Sequence, residues 1–595
     1  MHTDNQQNLT TDPQQSPASP SSFGYPIGRV IGVSGSALQG ILLPYKGEEG
    51  AAVVTPDLRI GSIIKVETAN STVFGVVGLL SMADPTADAL NSVRRQFDVE
   101  LLGEIPRRDP NGVERGFNRG VAVYPVLDDD IYLATPEERS RIYARPDKAN
   151  VRIGTLHPDN ELPAFVSTDD LLGKHFAILG STGSGKSCSV ALILRKILAD
   201  HPNGHVVMLD PHNEYFQSFG DSADVVSPDK LELPYWLLNF EEIVEVIVGR
   251  GRPDTEIQTA ILKEAIIHAK KKFAGDKGTT EHITVDTPIP YVLSELISHI
   301  SGQMGQFENP ESSAPFLRLK SRLESLRSDR RYAFMFSGLV VQDVLPMILS
   351  RILSIPVGNK PITILDLSGV PSEIVDVVVS VLCRIIFDFA LWSVPAQALP
   401  VLLVCEEAHR YVPANSEDGF GPTKKAISRI AMEGRKYGVS LCLISQRPSE
   451  LSANILSQCN TMFALRMSNE RDQEIARRAL PESASGLLGA LPALRTQEAV
   501  VCGEGVSMPV RLRFDDLDPN FRPKSGNADF SVRWQREDQG QEFINSTVER
   551  WRSQFRSEDA SRLQKQAAPQ PRQAAAAPQP QQPAAAPLVP PKPAG

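Results

Sequence analysis

Apolar positions follow different periods in different stretches of the chain. Between about Tyr25 and Leu133 they form short runs separated by glycines and acidic turns: Arg29 to Val33, Gln39 to Leu43, Ile60 to Glu67, Thr72 to Leu80, Val99 to Ile105 and Val121 to Leu127. Short strands spaced in this way predict a small β-barrel. Farther on, the runs become continuous, at Phe176 to Leu179, Val206 to Leu209, Ile362 to Leu365, Val401 to Val404, Ser440 to Ile444 and Met462 to Leu465. Runs of that kind are the mark of strands buried on both faces of a parallel sheet. A helical pattern from Cys188 to Leu198 directly follows one of them, so the class is α/β. Residues 255–350 lack strand patterns and show helical periods, at Glu256 to Phe273, Val292 to Ile300 and Phe316 to Arg327. They read as an inserted helical bundle.

The expected organisation is therefore a disordered start (1–22), a barrel with its linker (23–150), and an α/β core (151–520) with a helical insertion at about 255–350. The linker, Pro136 to Asn150, is rich in charge and proline. A helical extension (521–565) contains a charged, aromatic helix from Glu542 to Phe555, and an Ala/Pro/Gln tail (566–595) has too little apolar surface to form a core. The longest apolar stretch, Ile374 to Trp392, is interrupted by Asp376, Arg384 and Asp388. Each charge would cost about 2.5–3.5 kcal/mol at a bilayer centre, so it reads as a buried core helix and no membrane anchor is expected. The polar beginning lacks the apolar segment of a secretory signal. Six cysteines without a CxxC pair suit a reducing cytoplasm.

The run Phe176 to Leu179 stops at Gly180-Ser181-Thr182-Gly183-Ser184-Gly185-Lys186-Ser187-Cys188. Gly180, Gly185, Lys186 and Ser187 have the spacing G-x-x-x-x-G-K-[ST], in the strand–loop–helix setting that a P-loop requires. Glycines let backbone N–H groups curl around phosphate oxygens, and the helix N-terminus adds partial positive charge. Lys186 would reach the β- and γ-phosphates, and Ser187 would offer its hydroxyl to Mg²⁺. The residues from Gly180 to Cys188 are the candidate nucleotide-binding set.

Far downstream, the run from Val401 ends in Glu406-Glu407-Ala408-His409. Ligands in open α/β sheets sit beyond the carboxyl ends of the strands, which brings this pair near the P-loop. Glu406 would hold the Mg²⁺ shell through water, and Glu407 would orient and polarise the attacking water. Glu214, in Asp210-Pro211-His212-Asn213-Glu214-Tyr215, is a rival for the catalytic carboxylate. Gln446, in Ser445-Gln446-Arg447-Pro448, is placed to sense the γ-phosphate. His212 has no Cys/His partner at zinc spacing, so no metal beyond nucleotide-bound Mg²⁺ is expected. Arg435, in the segment from Ser428 to Gly438, is a candidate for an arginine acting on a neighbouring subunit's γ-phosphate, with Arg429 as the alternative.

The formal charge of −10 argues against a surface coated by nucleic acid, but not against a local pore contact. Basic clusters at Lys270 to Lys272, Arg318 to Arg331 and Lys424 to Lys436 read as solvated helix faces.

Taken together, the barrel, the P-loop, Asp210 to Tyr215, Glu406 to His409, Glu433 to Gly438 and Ser445 to Pro448 resemble the HerA family of the FtsK–HerA ATPases over about residues 25–520. The family commonly carries Asp at position 406 and Gly at 213. The resemblance implies a RecA-like ATPase core that forms a hexameric ring, uses ATP and Mg²⁺, and moves duplex DNA through a central pore or separates its strands. It also implies a NurA-like nuclease partner in DNA end processing, or an effector enzyme in phage defence. Two further readings stay open: an ATP-gated ring scaffold that assembles and activates an effector with little unwinding, and a secretion or rotary-type ATPase.

Overall fold

The computed structural model describes residues 25–553, apart from 44, 47–52, 55–57, 83–94, 108–115, 228–232, 276–279, 337–340, 480–484, 525–529, 536–539 and a few single positions. The start read as disordered (1–22) and the tail from 566, all but its last residue, lie outside the described residues.

Six antiparallel strands make the barrel: β1 (Gly28–Val33), β2 (Ala37–Leu42), β3 (Ile63–Glu67), β4 (Ser71–Met82), β5 (Arg95–Pro106) and β6 (Asp130–Leu133). Their order is β2-β1-β6-β3-β4-β5, β5 pairs back onto β2 and so closes the sheet, and the two residues Asn118–Arg119 add a short pairing at the end of β5. Val30, Leu38, Val66, Val73, Phe97 and Ile131 fill the interior. One expected strand is absent. Val121 to Leu127 is a loop with Val126 and Leu127 exposed, and the strand between β1 and β3 is instead β6. Pro125 removes a ladder donor from the middle of that run.

The expected linker also contains structure. Pro136–Ile142 is a short helix with a capping box: Thr135 Oγ1 accepts from the Glu138 N–H at 3.2 Å, and Glu138 accepts from the Thr135 N–H at 2.8 Å. Glu138 also receives the buried Lys65 of the barrel at 2.7 Å, so this helix is held against β3.

The core is one sheet of eleven strands: β7 (Asn150–Leu156), β8 (Pro163–Ser167), β9 (Phe176–Leu179), β10 (Val206–Asp210), β11 (Ala223–Val226), β12 (Ile362–Asp366), β13 (Val401–Cys405), β14 (Val439–Ser445), β15 (Thr461–Leu465), β16 (Glu498–Gly503) and β17 (Val510–Phe514). Its order is β8-β7-β17-β16-β15-β9-β14-β13-β10-β12-β11. The strands from β15 to β11 are parallel, and those on the other side pair antiparallel. Helix α1 (Lys186–Asp200) follows the P-loop.

Between β11 and β12 lie α2 (Thr255–Ala274), α3 (Leu293–Met304), α4 (Pro310–Ser328) and α5 (Leu345–Ile352). They share one core through Leu262, Ile266, Leu296, Ile300, Leu319 and Leu323. Lys270 departs from the solvated-face reading. It is buried, and its ammonium donates to the Val285 and Thr287 carbonyls at 2.6 and 2.7 Å. The long apolar stretch is α6 (Ser372–Trp392), whose Arg384 pairs with buried Glu242 at 3.0 Å. Helix α7 (Gly421–Glu433) packs beside it. Among the described residues, no helix is long and apolar enough to cross a membrane. The described residues beyond 529 belong to a separate unit, whose helix Gln541–Ser553 exposes Phe543, Ile544 and Trp551.

Candidate nucleotide site

The P-loop is shaped by its glycines and by what lies behind it. Gly185 has φ 104°, a conformation that a side chain would strain, and a Cβ there would also meet the Gln497 nitrogen at 3.3 Å. The loop is tied to the end of β15, where the Arg466 carbonyl accepts both the Ser181 N–H and its hydroxyl at 2.9 Å. On the other side the Gln497 N–H donates to the Ser184 carbonyl at 3.2 Å. Lys186 is buried and its ammonium folds onto the Ser181 carbonyl at 3.1 Å. The loop thus forms a cradle before any ligand is considered.

Strand order decides what faces this cradle. The carboxylate strand β13 is not adjacent to the P-loop strand β9, because β14 lies between them. Gln446, just past the end of β14, therefore stands between loop and carboxylates. Its Nε2 donates to Glu407 Oε1, and its Oε1 accepts from the Thr182 hydroxyl at the loop tip. Glu407 is buried with φ 51° and ψ 47°, a left-handed conformation that is costly outside glycine. Its Oε2 has no hydrogen bond and lies 3.3 Å from His409 Nδ1.

Two further contacts come from the turn after β10. Glu214 accepts the Ser187 hydroxyl at 2.9 Å, and the buried Tyr215 hydroxyl donates to Glu406 at 2.6 Å. An open cleft beside the loop is lined by His212, Asn213, Glu214, Ser368, Gln446 and Lys524.

The chain is similar to known proteins over most of its length. Residues 151–386 match the family model described as the central domain of helicase HerA. The chain is 26% identical over 472 residues to the DNA double-strand break repair helicase HerA of Pyrococcus furiosus, covering 73% of this chain and 79% of that one. It is 29% identical over 439 residues to the probable counterpart in Methanocaldococcus jannaschii, covering 68% and 83%. The chain is similar to the HerA helicases over most of its length. Among solved structures, VirB4 of Thermoanaerobacter pseudethanolicus is 15% identical with a TM-score of 0.45, over 64% of this chain and 99% of that one.

Burial pushes the Glu406 carboxyl above its ordinary range, and Lys186 below its own against the pull of Glu406, Glu407 and Glu214. A phosphate beside Lys186 and a cation beside Glu406 would each restore the charged form. Among the described residues no group of three or more His, Cys, Asp or Glu side chains is arranged as a metal centre. What remains is an oxygen pair, the Ser187 hydroxyl and the Glu406 carboxylate, held by Glu214 and Tyr215. That small contribution fits Mg²⁺, which keeps most of its coordination for phosphates and water.

The trans-arginine candidates are elsewhere. Arg435 lies before the start of β14, at the end opposite the P-loop, and that seven-residue strand spans about 20 Å. It is exposed, with no hydrogen bond or ion pair among the described residues. Arg429 is engaged within its own chain, 3.5 Å from Asp388, 3.8 Å from Glu433 and over the Phe387 ring. Cys188 is half-buried on the first turn of α1. Sequence reasoning passed over Tyr215, His409 and Arg466 as parts of the site. The first two stand inside motifs already singled out. Arg466 follows a recognised strand, but only the pairing of β15 with β9 brings it to the loop.

Proposed function

We propose that the chain hydrolyses ATP to move along or separate duplex DNA, working as a homohexameric ring with DNA in its central pore. The continuous contact from Thr182 through Gln446 to Glu407 carries the reading, because it links the phosphate loop to a buried carboxylate able to accept a proton from water. Backbone N–H groups of residues 183–187 and Lys186 hold the phosphates. Ser187, and Glu406 through water, would hold Mg²⁺, which when bound would neutralise charge on the phosphate oxygens. Glu407 orients the attacking water, and Gln446 registers whether a γ-phosphate is present. Arg435 serves the site of the neighbouring subunit.

The names of the relatives support the DNA substrate. A nuclease of the NurA type, or a defence effector, docks on the barrel in a cytoplasmic complex. The deciding experiment compares the ATPase rate with and without duplex DNA, each with and without the product of the adjacent gene. Stimulation by DNA alone supports translocation. A rate indifferent to DNA but raised by the partner would replace it with the ATP-gated scaffold.

A further inference from the structure

One turn touches both groups assigned to Mg²⁺. Asp210 ends β10 fully buried, and its carboxylate accepts the N–H groups of His212 at 3.2 Å and Tyr215 at 3.0 Å. Asn213 closes the turn at φ 53°, a conformation tolerated best by Gly and Asn. The last two residues then diverge, Glu214 to the Ser187 hydroxyl and Tyr215 to Glu406. Ser187 lies on the first turn of α1, which follows β9 and the P-loop, and Glu406 follows β13; β14 separates β9 from β13 in the sheet. The turn follows β10, which flanks β13 on the side away from the P-loop strand.

We propose that Glu214 and Tyr215 are positioning residues of the Mg²⁺–nucleotide site, an inference that rests on the nucleotide reading above. Tyr215 fixes the Glu406 carboxylate through one of its two oxygens, and Glu214 sets the rotamer of the Ser187 hydroxyl. A buried carboxylate needs a donor wherever it lies, so the tyrosine bond alone would suit a purely structural role. The second bond separates the two roles, since the adjacent residue of the same turn reaches the other Mg²⁺ group, on a different element. Groups that orient metal ligands typically change metal affinity about 10–100-fold when removed. Glu214 is thereby a positioning group and not the base, the role left to Glu407.

The test uses the full chain and two binding readouts. A fluorescent ATP analogue is titrated with Mg²⁺ and with EDTA, and Mn²⁺ binding is followed by electron paramagnetic resonance with a non-hydrolysable ATP analogue present. Tyr215→Phe should keep the affinity seen in EDTA and lose about 10-fold in Mn²⁺ affinity. In a Glu406→Gln background the same change should cost nothing further. A Tyr215→Phe protein that folds normally and binds Mn²⁺ as the parent does would overturn the proposal. If that variant fails to fold, Glu214→Ala decides alone, and parental Mn²⁺ affinity in it overturns the proposal. A parent protein that binds the nucleotide equally well in Mg²⁺ and EDTA would refute the underlying Mg²⁺–nucleotide reading instead.

Discussion

Gln446 joins Glu407 to the tip of the P-loop, donating to the carboxylate while accepting from Thr182. One amide thus spans the gap that strand β14 opens between phosphate loop and carboxylate. Replacing it with alanine leaves both groups in place but removes the link. Gln446→Ala should bind ATP with affinity within a few-fold of the parent and lower kcat by about 100-fold, the size of one lost preorganised donor. Steady-state kinetics beside equilibrium binding checks it. A large rise in KM with unchanged kcat would place Gln446 in ground-state binding alone.

Glu407→Gln keeps the shape of the carboxylate but cannot accept a proton. It should bind ATP, assemble as the parent does and hydrolyse about 10²–10⁴-fold more slowly. Single-turnover hydrolysis measures this directly, with Glu214→Gln run beside it. Should Glu214→Gln be inactive while Glu407→Gln turns over, the base has been placed on the wrong carboxylate.

Lys186→Ala removes a buried cation whose ammonium donates to the loop carbonyl of Ser181. Tight binding of Mg-ATP should be lost while the far-UV circular dichroism and melting curve stay close to the parent's. Retained nucleotide affinity would argue against this P-loop as the phosphate site.

Arg435 cannot reach its own phosphate loop across the length of β14. Arg435→Ala should therefore bind ATP and hydrolyse it poorly when assembled. Mixing Arg435→Ala with Lys186→Ala subunits should restore part of the activity, because one variant supplies the intact loop and the other the arginine. An Arg435→Ala protein with the parent's rate would remove this residue from the mechanism.

The core depends on a buried ion pair between Arg384 and Glu242, which also receives the Ser380 hydroxyl at 2.8 Å. Arg384→Ala leaves that carboxylate buried without its cation. The expected loss is about 3–5 kcal/mol, read as a lower midpoint of urea unfolding. A change within about 0.5 kcal/mol, the usual range for surface substitutions, would mean that solvent reaches Glu242 freely.

The local parts of the site were legible because their physics is local. Glycines, lysine and serine at fixed offsets make a phosphate loop wherever a strand meets a helix. Apolar runs marked the parallel strands and α6. Other local signals were present but outweighed by composition. Thr135-Pro136-Glu137-Glu138 carries the capping-box pattern of the helix in the expected linker, and Lys270 repeats at intervals of four after the buried Leu262 and Ile266.

What the sequence determined by itself was the identity of the chemical groups and the elements that carry them. The tertiary structure decided which of them meet. Strand pairing joins residues hundreds of positions apart, and no local period records it. That pairing put β14 between loop and carboxylates, set Gln446 into the gap, and placed Arg435 at the far end of its strand. It also brought Glu214 and Tyr215 to Ser187 and Glu406, since a side chain's partner depends on how the sheet is ordered and not on its neighbours in the chain.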